Sequence, residues 1–332
     1  MIDLKTLAKK FIDVPSITGS EALLAVDVEA NLRAMGMDVA RQPVDFDRWN
    51  IFASFVKSPS LLYTTHIDTV PPFTPSVEKD GFIFGRGACD AKGIMACMIK
   101  AMEELSKEGC HDAALLFVVG EEMDSIGARI AAQRLPEFKY VINGEPTGNQ
   151  LVSGQKGSLI VRLHAHGVSA HSGYPELGSS AINTLLSVLN DILAEEWGSD
   201  EKLGTATVNI GIVKGGVAPN VIPDAAMAEV FFRIVDSAEN VLCNLEKIIA
   251  ERVDLEIISK SDPQELHVVD GIETTVAGFG SDVQYLRKIG TPLMLGPGSI
   301  IDAHTNHEKI SIEEMDSAVE LYKILYHKLI AP

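Results

Sequence analysis

The sequence predicts an α/β fold in which a mixed, largely parallel sheet with helices on both faces is interrupted by a smaller α+β domain. Continuously apolar runs alternate with helical patterns up to about Asn143, as in a parallel sheet whose strands are buried on both faces. From about Gln155 the strands alternate apolar and polar residues, and the elements follow the β-α-β-β-α-β order of a ferredoxin-like unit. The predicted domains are therefore 1–156 with 267–332, and an insert at 157–266.

The size and charge of the chain limit what it can bind. Its 332 residues are more than one compact core normally spans, in agreement with two domains. A net charge of −18 argues against nucleic acid and membrane as partners, because both need a basic surface. We expect no signal peptide and no membrane span, since the N-terminus is charged and no apolar run reaches about 18 residues. The four cysteines match no metal or disulfide pattern, so we expect free thiols and a cytoplasmic protein.

The first elements of the larger domain are two helices and two strands. A helix is predicted at Leu4–Phe11, before the turn that contains Pro15. A second helix runs from Ser20 to Met35, and Gly36 ends it. Strands follow at Met37–Gln42 and Asn50–Phe55.

Three buried strands then bring polar residues to one edge of the predicted sheet. The apolar runs Leu61–Tyr63, Ala113–Val119 and Tyr140–Asn143 are each followed by histidine or carboxylate side chains. Helices after Asp90 and at Ile126–Leu135 separate these strands. Open α/β sheets bind ligands at the carboxyl ends of their strands, so we expect the site there.

The insert and the return to the larger domain account for the rest of the chain. The predicted elements of the insert are Ser158–His166, a helix at Ser180–Trp197, strands at Thr205–Lys214 and Ala225–Val235, a helix at Ala238–Arg252 and a strand at Glu256–Ile258. A helix at Ser281–Ile289, a strand at Pro292–Leu295 and a helix at Glu313–Ile330 then complete the larger domain.

His66, Asp68 and Asp90 are the first candidate site residues. Residues two apart on a strand share a face, so Asp68 can orient the His66 ring and determine its tautomer for metal binding. Asp90 follows the glycine-rich turn Gly85–Gly87 and precedes a helical pattern. We therefore expect Asp90 to cap that helix, and its two carboxylate oxygens would also suit it to bridge two metal ions.

The adjacent carboxylates Glu121 and Glu122 are the most informative pair. They repel each other at the end of an apolar strand, unless a cation offsets one charge and leaves the other as a base. The pattern leaves open which of the two binds metal.

Glu145 and His304 complete the candidate ligands, although His307 competes with His304 in the same loop. One histidine with carboxylates for each ion suits a divalent metal that also binds water.

The chain resembles the M20 metallopeptidase and deacylase family, in its acetylornithine deacetylase and succinyl-diaminopimelate desuccinylase branch. The resemblance covers nearly the whole chain. It lies in the ordered motifs HIDTVP, GRGACDAKGIMA, VVGEEMDSIGA, NGEPT, GVSAHSGYPELGSSAI, PNVIPD and GPGSIIDAHTNHE. It implies a catalytic domain with an inserted dimerisation domain, and therefore a homodimer.

The resemblance also implies roles for individual residues. His66, Asp90 and Glu145 would hold one zinc ion; Asp90, Glu122 and His304 would hold the other, with Co²⁺ or Mn²⁺ as substitutes. Glu121 would be the general base, and Asp68 would orient His66.

The inserted domain would supply further residues. His171 would act across the dimer on the scissile carbonyl, and Asn220 and Arg233 would bind polar groups of the substrate, often a carboxylate. The residues expected to line the substrate pocket are Lys156, Ser158, Tyr174 and the loop Gly280-Ser281-Asp282.

The predicted function is hydrolysis of the amide bond of N-acyl-L-amino acids by a water activated by two zinc ions, with Glu121 as base. Lys156 stands where desuccinylases tend to have arginine, which weakens a succinyl substrate. A di- or tripeptide peptidase of the same family is the main alternative. A metal- or ligand-binding protein without catalysis is a further one, against which Glu121 argues. Gly85–Gly87 is not a dinucleotide-binding GxGxxG motif.

Overall fold

A computed structural model describes residues 3–330, which form two compact units. The larger unit contains the chain up to Ser153, Leu266–Thr275 and the chain from Ser281 onward. The smaller unit contains Gly154–Glu265 and Val276–Gly280, so the chain returns to it briefly after the predicted insert at 157–266. No helix between Asp3 and Ile330 combines the length and the apolar character that crossing a membrane requires.

The helices lie close to their predicted positions, with ends that differ by a few residues. They are α1 (Leu4–Ile12), α2 (Ala22–Ala34), α3 (Gly93–Lys107), α4 (Ile126–Arg134), α5 (Ala181–Ala194), α6 (Ala238–Ile249), α7 (Val283–Leu286) and α8 (Ile312–Leu329).

The strands include all those predicted, together with short ones that were not. They are β1 (Asp38–Asp45), β2 (Arg48–Ser54), β3 (Leu61–His66), β4 (Val77–Lys79), β5 (Phe82–Phe84), β6 (Ala113–Val118), β7 (Tyr140–Asn143), β8 (Leu151–Gln155), β9 (Gly157–His166), β10 (Ala170–His171), β11 (Ser199–Asp200), β12 (Gly204–Thr205), β13 (Thr207–Gly215), β14 (Val221–Ile222), β15 (Ala225–Ile234), β16 (Asp254–Ser261), β17 (Gln264–Glu265), β18 (Thr274–Ala277), β19 (Thr291–Met294) and β20 (Lys309–Ser311).

The larger unit is built on a six-stranded sheet in the order β1-β2-β6-β3-β7-β19. Strands β6, β3, β7 and β19 are parallel, whereas β2 is antiparallel to both β1 and β6. Side chains of β3 alternate between two apolar clusters, since Tyr63 packs with α3 and α8 residues while Leu62 packs with α4 and α7 residues. Helices therefore cover both faces, and the predicted mixed, largely parallel α/β fold is confirmed.

The smaller unit contains a four-stranded antiparallel sheet in the order β13-β15-β9-β16. Alternate residues of β9 and β15, such as Val161 and Val230, form an apolar core with α5 and α6. The strand order is that of a ferredoxin-like unit, as the element order predicts. The dimerisation role of this unit stays a prediction.

Candidate metal centre

Three neighbouring parallel strands end at the same edge of the larger sheet. Strand β3 ends at His66 and lies between β6 and β7. After β6, Gly120 adopts a φ of +79°, and the chain turns at once into Glu121 and Glu122. A side chain at Gly120 would also strike Ile126, because its Cβ would lie 2.8 Å from that residue's Cγ2.

His66 is buried, with 1% of its surface exposed, and both ring nitrogens have partners. Nδ1 lies 3.0 Å from the backbone carbonyl of Asp68, to which it donates, and 3.6 Å from the Asp68 carboxylate. In the neutral ring, Nε2 therefore carries the lone pair that a metal would take; in the protonated ring, Nε2 donates to Asp90 Oδ1, which lies 2.9 Å away. Burial opposes a charge on this ring, yet its hydrogen bonds to Asp68 and Asp90 hold the pKa of His66 well above the usual value.

The Asp68 carboxylate holds the turn that carries the two glutamates. Its Oδ1 accepts the backbone N–H of Glu121 at 3.1 Å, and its Oδ2 accepts that of Glu122 at 3.2 Å. The Thr18 hydroxyl donates to Oδ2 at 2.8 Å. Asp68 thus contacts His66 mainly through its backbone, and its side chain positions Glu121 and Glu122.

Asp90 lies between two histidines. Its Oδ1 faces His66, and its Oδ2 lies 3.2 Å from His304 Nε2. Burial favours a neutral Asp90, but the hydrogen bonds to His304 and His66 lower the pKa of Asp90 below its usual value. One oxygen directed at each histidine is the arrangement that a bridging carboxylate needs.

The prediction that Asp90 caps a helix was wrong. Helix α3 begins at Gly93, and the residue at its cap position is Lys92. Asp90 has φ −129° and ψ 86°, so its backbone is extended, and its carboxylate turns to the histidines instead of the free N–H groups of the helix.

Glu122 and His304 meet beside Asp90. His304 Nε2 lies 3.0 Å from Glu122 Oε2, and hydrogen bonds to Asp90 and Glu122 raise the pKa of His304 to about 10. His307 is exposed, and its backbone N–H donates to the Thr305 hydroxyl. The structure therefore places His304 at the carboxylates, and ligand atoms of His66, Asp90 and Glu122 lie within 4.8 Å of one another.

Glu121 and Glu145 add two further carboxyl groups to this edge. Burial and the charge of Glu145 raise the pKa of Glu121 well above its usual value. Burial also raises the pKa of Glu145, although Asn143 donates to its Oε1 at 3.1 Å. This edge of the sheet thus offers the nitrogens of two histidines and the oxygens of four carboxyl groups, and the nearby side chains supply too few positive charges to balance those carboxyl groups. The residues are His66, Asp90, Glu121, Glu122, Glu145 and His304. That donor set fits divalent cations such as zinc, whose charge would offset the repulsion.

Asp282 is a buried carboxylate in the loop that the family resemblance places at the substrate pocket. Its Oδ1 accepts no hydrogen bond from any residue between Asp3 and Ile330. Burial raises the pKa of Asp282 to about 6, against the effect of a hydrogen bond from Ser125. The neighbouring Ser281 is also buried, and its hydroxyl accepts the N–H of Val283. No spacing or periodicity in the sequence distinguishes Asp282 from an ordinary helix-capping residue.

In the smaller unit, His171 and Asn220 lie on adjacent segments. Strands β10 and β14 pair, so His171 lies opposite Val221, and Asn220 accepts the N–H of Ser172 through its carbonyl. The N–H of Gly173 donates to His171 Nδ1 at 3.0 Å, so a neutral ring carries its proton on Nε2.

Tyr174 is 60% exposed, and its ring centroid lies 5.9 Å from that of His171. The three predicted residues His171, Tyr174 and Asn220 therefore lie close together in this unit.

Arg233 lies opposite Ser158 on paired strands β15 and β9. Its guanidinium stacks 4.3 Å over the Phe231 ring, and burial lowers its pKa. Within residues 3–330 it forms no ion pair or hydrogen bond. Ser158 instead bonds Ser261, and Lys156 donates to the Thr205 carbonyl at 2.6 Å. Of the predicted substrate-binding residues in this unit, Arg233 is thus an available cation and Lys156 is engaged by the backbone.

The family model for peptidase family M20/M25/M40 matches residues 62–328. The chain belongs to peptidase family M20. A peptidase M20 domain-containing protein of Schizosaccharomyces pombe is 36% identical, over 97% of this chain and 83% of its own length. A probable carboxypeptidase of Aspergillus terreus is 38% identical, over 96% of this chain and 84% of its own.

Solved structures share the fold at lower identity. A tripeptidase from Staphylococcus aureus superposes with a TM-score of 0.80 at 22% identity, over 97% of both chains. A dinuclear metal binding peptidase from Bacillus subtilis gives 0.70 at 16% identity, over 97% of this chain and 96% of its own. M20 peptidases depend on metal, so this M20 chain is a metal-dependent hydrolase, as predicted. The names of the two sequence relatives, from Schizosaccharomyces pombe and Aspergillus terreus, favour the peptidase alternative over the predicted deacylase branch.

Proposed function

We propose that this M20 protein is a metal-dependent exopeptidase that acts on short peptides with a free C-terminal carboxylate, as a carboxypeptidase does. The observation that carries the proposal is Arg233, a partly buried guanidinium with neither an ion pair nor a hydrogen bond among residues 3–330. A cation removed from water without an ion pair or a hydrogen bond is unfavourable, even when it stacks on an aromatic ring, and the planar fork of arginine matches a carboxylate. The name of the Aspergillus terreus relative supports a peptide as the substrate.

His66, Asp90 and Glu145 would hold one metal ion, and Asp90, Glu122 and His304 would hold the second. We propose zinc, with Co²⁺ or Mn²⁺ as substitutes, since nitrogen and carboxylate donors suit these metals. When bound, the ions supply Lewis-acid polarisation of the scissile carbonyl and lower the pKa of water.

The protein's own side chains would then move the protons and stabilise charge. Glu121 takes a proton from the attacking water and passes it to the leaving amine, and burial beside Glu145 raises its pKa in the direction that favours accepting that proton. His171 of a second copy of the chain in the dimer would donate its Nε2–H to the carbonyl oxygen as negative charge develops there. Arg233 holds the substrate carboxylate, and Asn220 is available to bind a neighbouring polar group.

An N-acyl amino acid deacylase remains the second candidate. Such a substrate also ends in a free carboxylate, so Arg233 favours both candidates equally. The peptidase and carboxypeptidase names of the relatives place the peptide substrate first.

A substrate panel separates these candidates. The metal-loaded protein is incubated with di- and tripeptides, the same peptides with C-terminal amides, and N-acetyl-ornithine, N-acetyl-lysine and N-succinyl-diaminopimelate, and products are identified by mass spectrometry. We expect release of the C-terminal residue from free-acid peptides only. Release of N-terminal residues from the amidated peptides would refute the carboxypeptidase proposal. Faster cleavage of one N-acyl amino acid than of every peptide would move the protein to the deacylase candidate.

Arg233→Met tests the carboxylate contact directly. Hydrogen bonds to charged groups contribute about 1.5–3 kcal/mol, so kcat/KM for a free-acid peptide should fall by roughly 10- to 150-fold. Arg162→Met is the matched control, because Arg162 lies on β9 of the same sheet but is already paired with Glu229 and Glu256. Equal losses in the two variants would refute the assignment of Arg233.

We also propose a cytoplasmic homodimer. The free state of Cys89, Cys97, Cys110 and Cys243 supports a reducing compartment, and the dimer follows from the family resemblance. Light scattering of the purified chain tests the dimer, and a monomeric mass for an active protein would refute it.

A further inference from the structure

A buried ion pair joins the two loops that carry Asp90 and His304. Arg86 stands four residues before Asp90, and Glu308 stands four residues after His304. Arg86 Nη1 donates to Glu308 Oε2, and each residue is only 3% exposed. Neither residue is a predicted metal ligand or a predicted substrate-binding residue.

The second oxygen of Glu308 reaches the backbone of Asp90 itself. Glu308 Oε1 accepts the N–H groups of Cys89 and Asp90, both at 3.3 Å. The backbones of the two loops are joined as well, since the Gly85 N–H donates to the Glu308 carbonyl at 3.1 Å and β20 pairs with β5. Glu308, which lies in the loop of His304, therefore binds both the Arg86 side chain and the backbone N–H of Asp90.

A role in stability alone does not explain this arrangement well. Buried ion pairs contribute little net stability compared with apolar side chains of similar size. Glu308 also places a second buried carboxylate against the backbone of Asp90, where an apolar side chain would avoid the repulsion between the two carboxylates. The ion pair instead constrains geometry. It determines where the extended backbone of Asp90 lies, and therefore the direction in which the two carboxylate oxygens of Asp90 point.

We propose that Glu308, held by Arg86, is a positioning residue for the bridging carboxylate Asp90. It keeps Oδ1 of Asp90 directed at His66 and Oδ2 directed at His304, and it maintains the spacing of the Asp90 and His304 loops. This inference rests on the proposed function in one respect, that Asp90 and His304 are metal ligands. Loss of the Glu308 contacts should then weaken metal binding before it affects the fold.

The test measures metal binding without substrate. The chelator-treated, full-length protein is titrated with Mn²⁺ or Co²⁺ against a chelating dye, which gives the dissociation constant of each ion. Electron paramagnetic resonance of the loaded protein then reports the magnetic coupling that a shared carboxylate transmits. For Glu308→Ala we expect at least one ion to bind about 10- to 100-fold more weakly, the range seen when groups that orient metal ligands are removed, and the coupling to change.

Two further variants separate positioning from charge. Arg86→Gln combined with Glu308→Gln removes both charges but keeps at position 308 an amide oxygen that can accept the N–H groups of Cys89 and Asp90. This double variant should recover most of the affinity that Glu308→Ala loses. Glu29→Ala is the matched control, because Glu29 is also a buried carboxylate, 6% exposed and paired with Arg41, but lies on α2. It should leave both dissociation constants unchanged.

Each outcome bears on one proposal. If the parent protein binds fewer than two ions, the proposed metal centre is refuted. If the parent binds two ions and Glu308→Ala leaves both constants and the coupling unchanged, the positioning role is refuted and the metal centre stands. If Glu308→Ala does not fold, Glu308→Gln is used in its place. The glutamine NH₂ group would face the N–H groups of Arg86, so the bond between the two side chains would be lost. Unchanged dissociation constants in that variant would also refute the positioning role.

Discussion

Replacing Asp68 with Asn tests how the turn of Glu121 and Glu122 is held. The Asp68 carboxylate is fully buried and accepts hydrogen bonds from both glutamate N–H groups and from the Thr18 hydroxyl. Asn has the same shape but one acceptor oxygen. Its amide nitrogen can donate to the Thr18 hydroxyl, which can reverse its role, but it cannot accept a backbone N–H.

The magnitude follows from this count of contacts. Asn can accept only one of the two backbone hydrogen bonds, which come from the Glu121 N–H at 3.1 Å and the Glu122 N–H at 3.2 Å. At the other position, the amide NH₂ group of Asn would face a backbone N–H, so two donors would lie against each other. A hydrogen bond to a charged group contributes about 1.5–3 kcal/mol, so we expect kcat to fall by roughly 10- to 150-fold. KM should change little, because Asp68 touches the turn and not the proposed carboxylate-binding Arg233.

The assay is steady-state hydrolysis of a free-acid dipeptide, with metal content measured on the same samples. Thr18→Val is the matched control. It removes the hydroxyl contact to Asp68 but leaves both backbone contacts, so its kcat should fall by less than about 10-fold. If Asp68→Asn retains full kcat with both metals bound, the carboxylate does not position the glutamate turn. Equal losses in the two variants would also contradict that conclusion.

The remaining predictions concern the proposed base Glu121, the proposed metal ligand His304, and the two buried tyrosines Tyr63 and Tyr322. Glu121→Gln should keep both metals and reduce kcat by about 10²- to 10⁴-fold, as measured by turnover beside metal analysis; normal turnover would exclude Glu121 as the base. His304→Ala should lose one metal equivalent and His307→Ala none, and the opposite result would reverse the choice of ligand. Burial raises the pKa of Tyr63 and Tyr322 well above 10, so above about pH 10 the unfolded chain releases protons that the folded chain retains. Stability in urea should therefore fall by about 1.4 kcal/mol per pH unit for each tyrosine, with a smaller slope in Tyr63→Phe, and an unchanged slope would contradict this origin.

Local sequence patterns predicted the elements that carry the centre. Strands β6 and β7 lie within a residue of the predicted runs, because a strand buried on both faces needs a continuous apolar sequence. The polar residues that interrupt those runs mark where the sheet ends. The short strands β4, β5 and β20 were missed, since strands of three residues are too short for a periodic signal.

Local patterns failed where the backbone departs from regular structure. A carboxylate before a helical run is usually a cap, and nothing nearby in the sequence indicates that Asp90 is extended and that α3 begins only at Gly93. Local patterns also missed a second contact of Asp68. Strand geometry predicted that its carboxylate meets the His66 ring, and the two lie 3.6 Å apart, but nothing nearby in the sequence indicates that the same carboxylate holds the backbone of a turn more than fifty residues away.

The sequence by itself determined the fold class and the chemical types of the donors: two histidines and several carboxylates at the ends of buried strands. The residue patterns left open which of these donors meet; the family resemblance implied that Glu122 and His304 do, and the tertiary structure brings the two side chains together. Glu122, not Glu121, faces His304 across 182 residues of chain, and Glu308 binds Arg86 across 222. Such pairings depend on how distant strands and loops pack at one edge of a sheet. The periodicity of a sequence indicates only whether a residue is buried. It does not indicate which distant residue that side chain contacts.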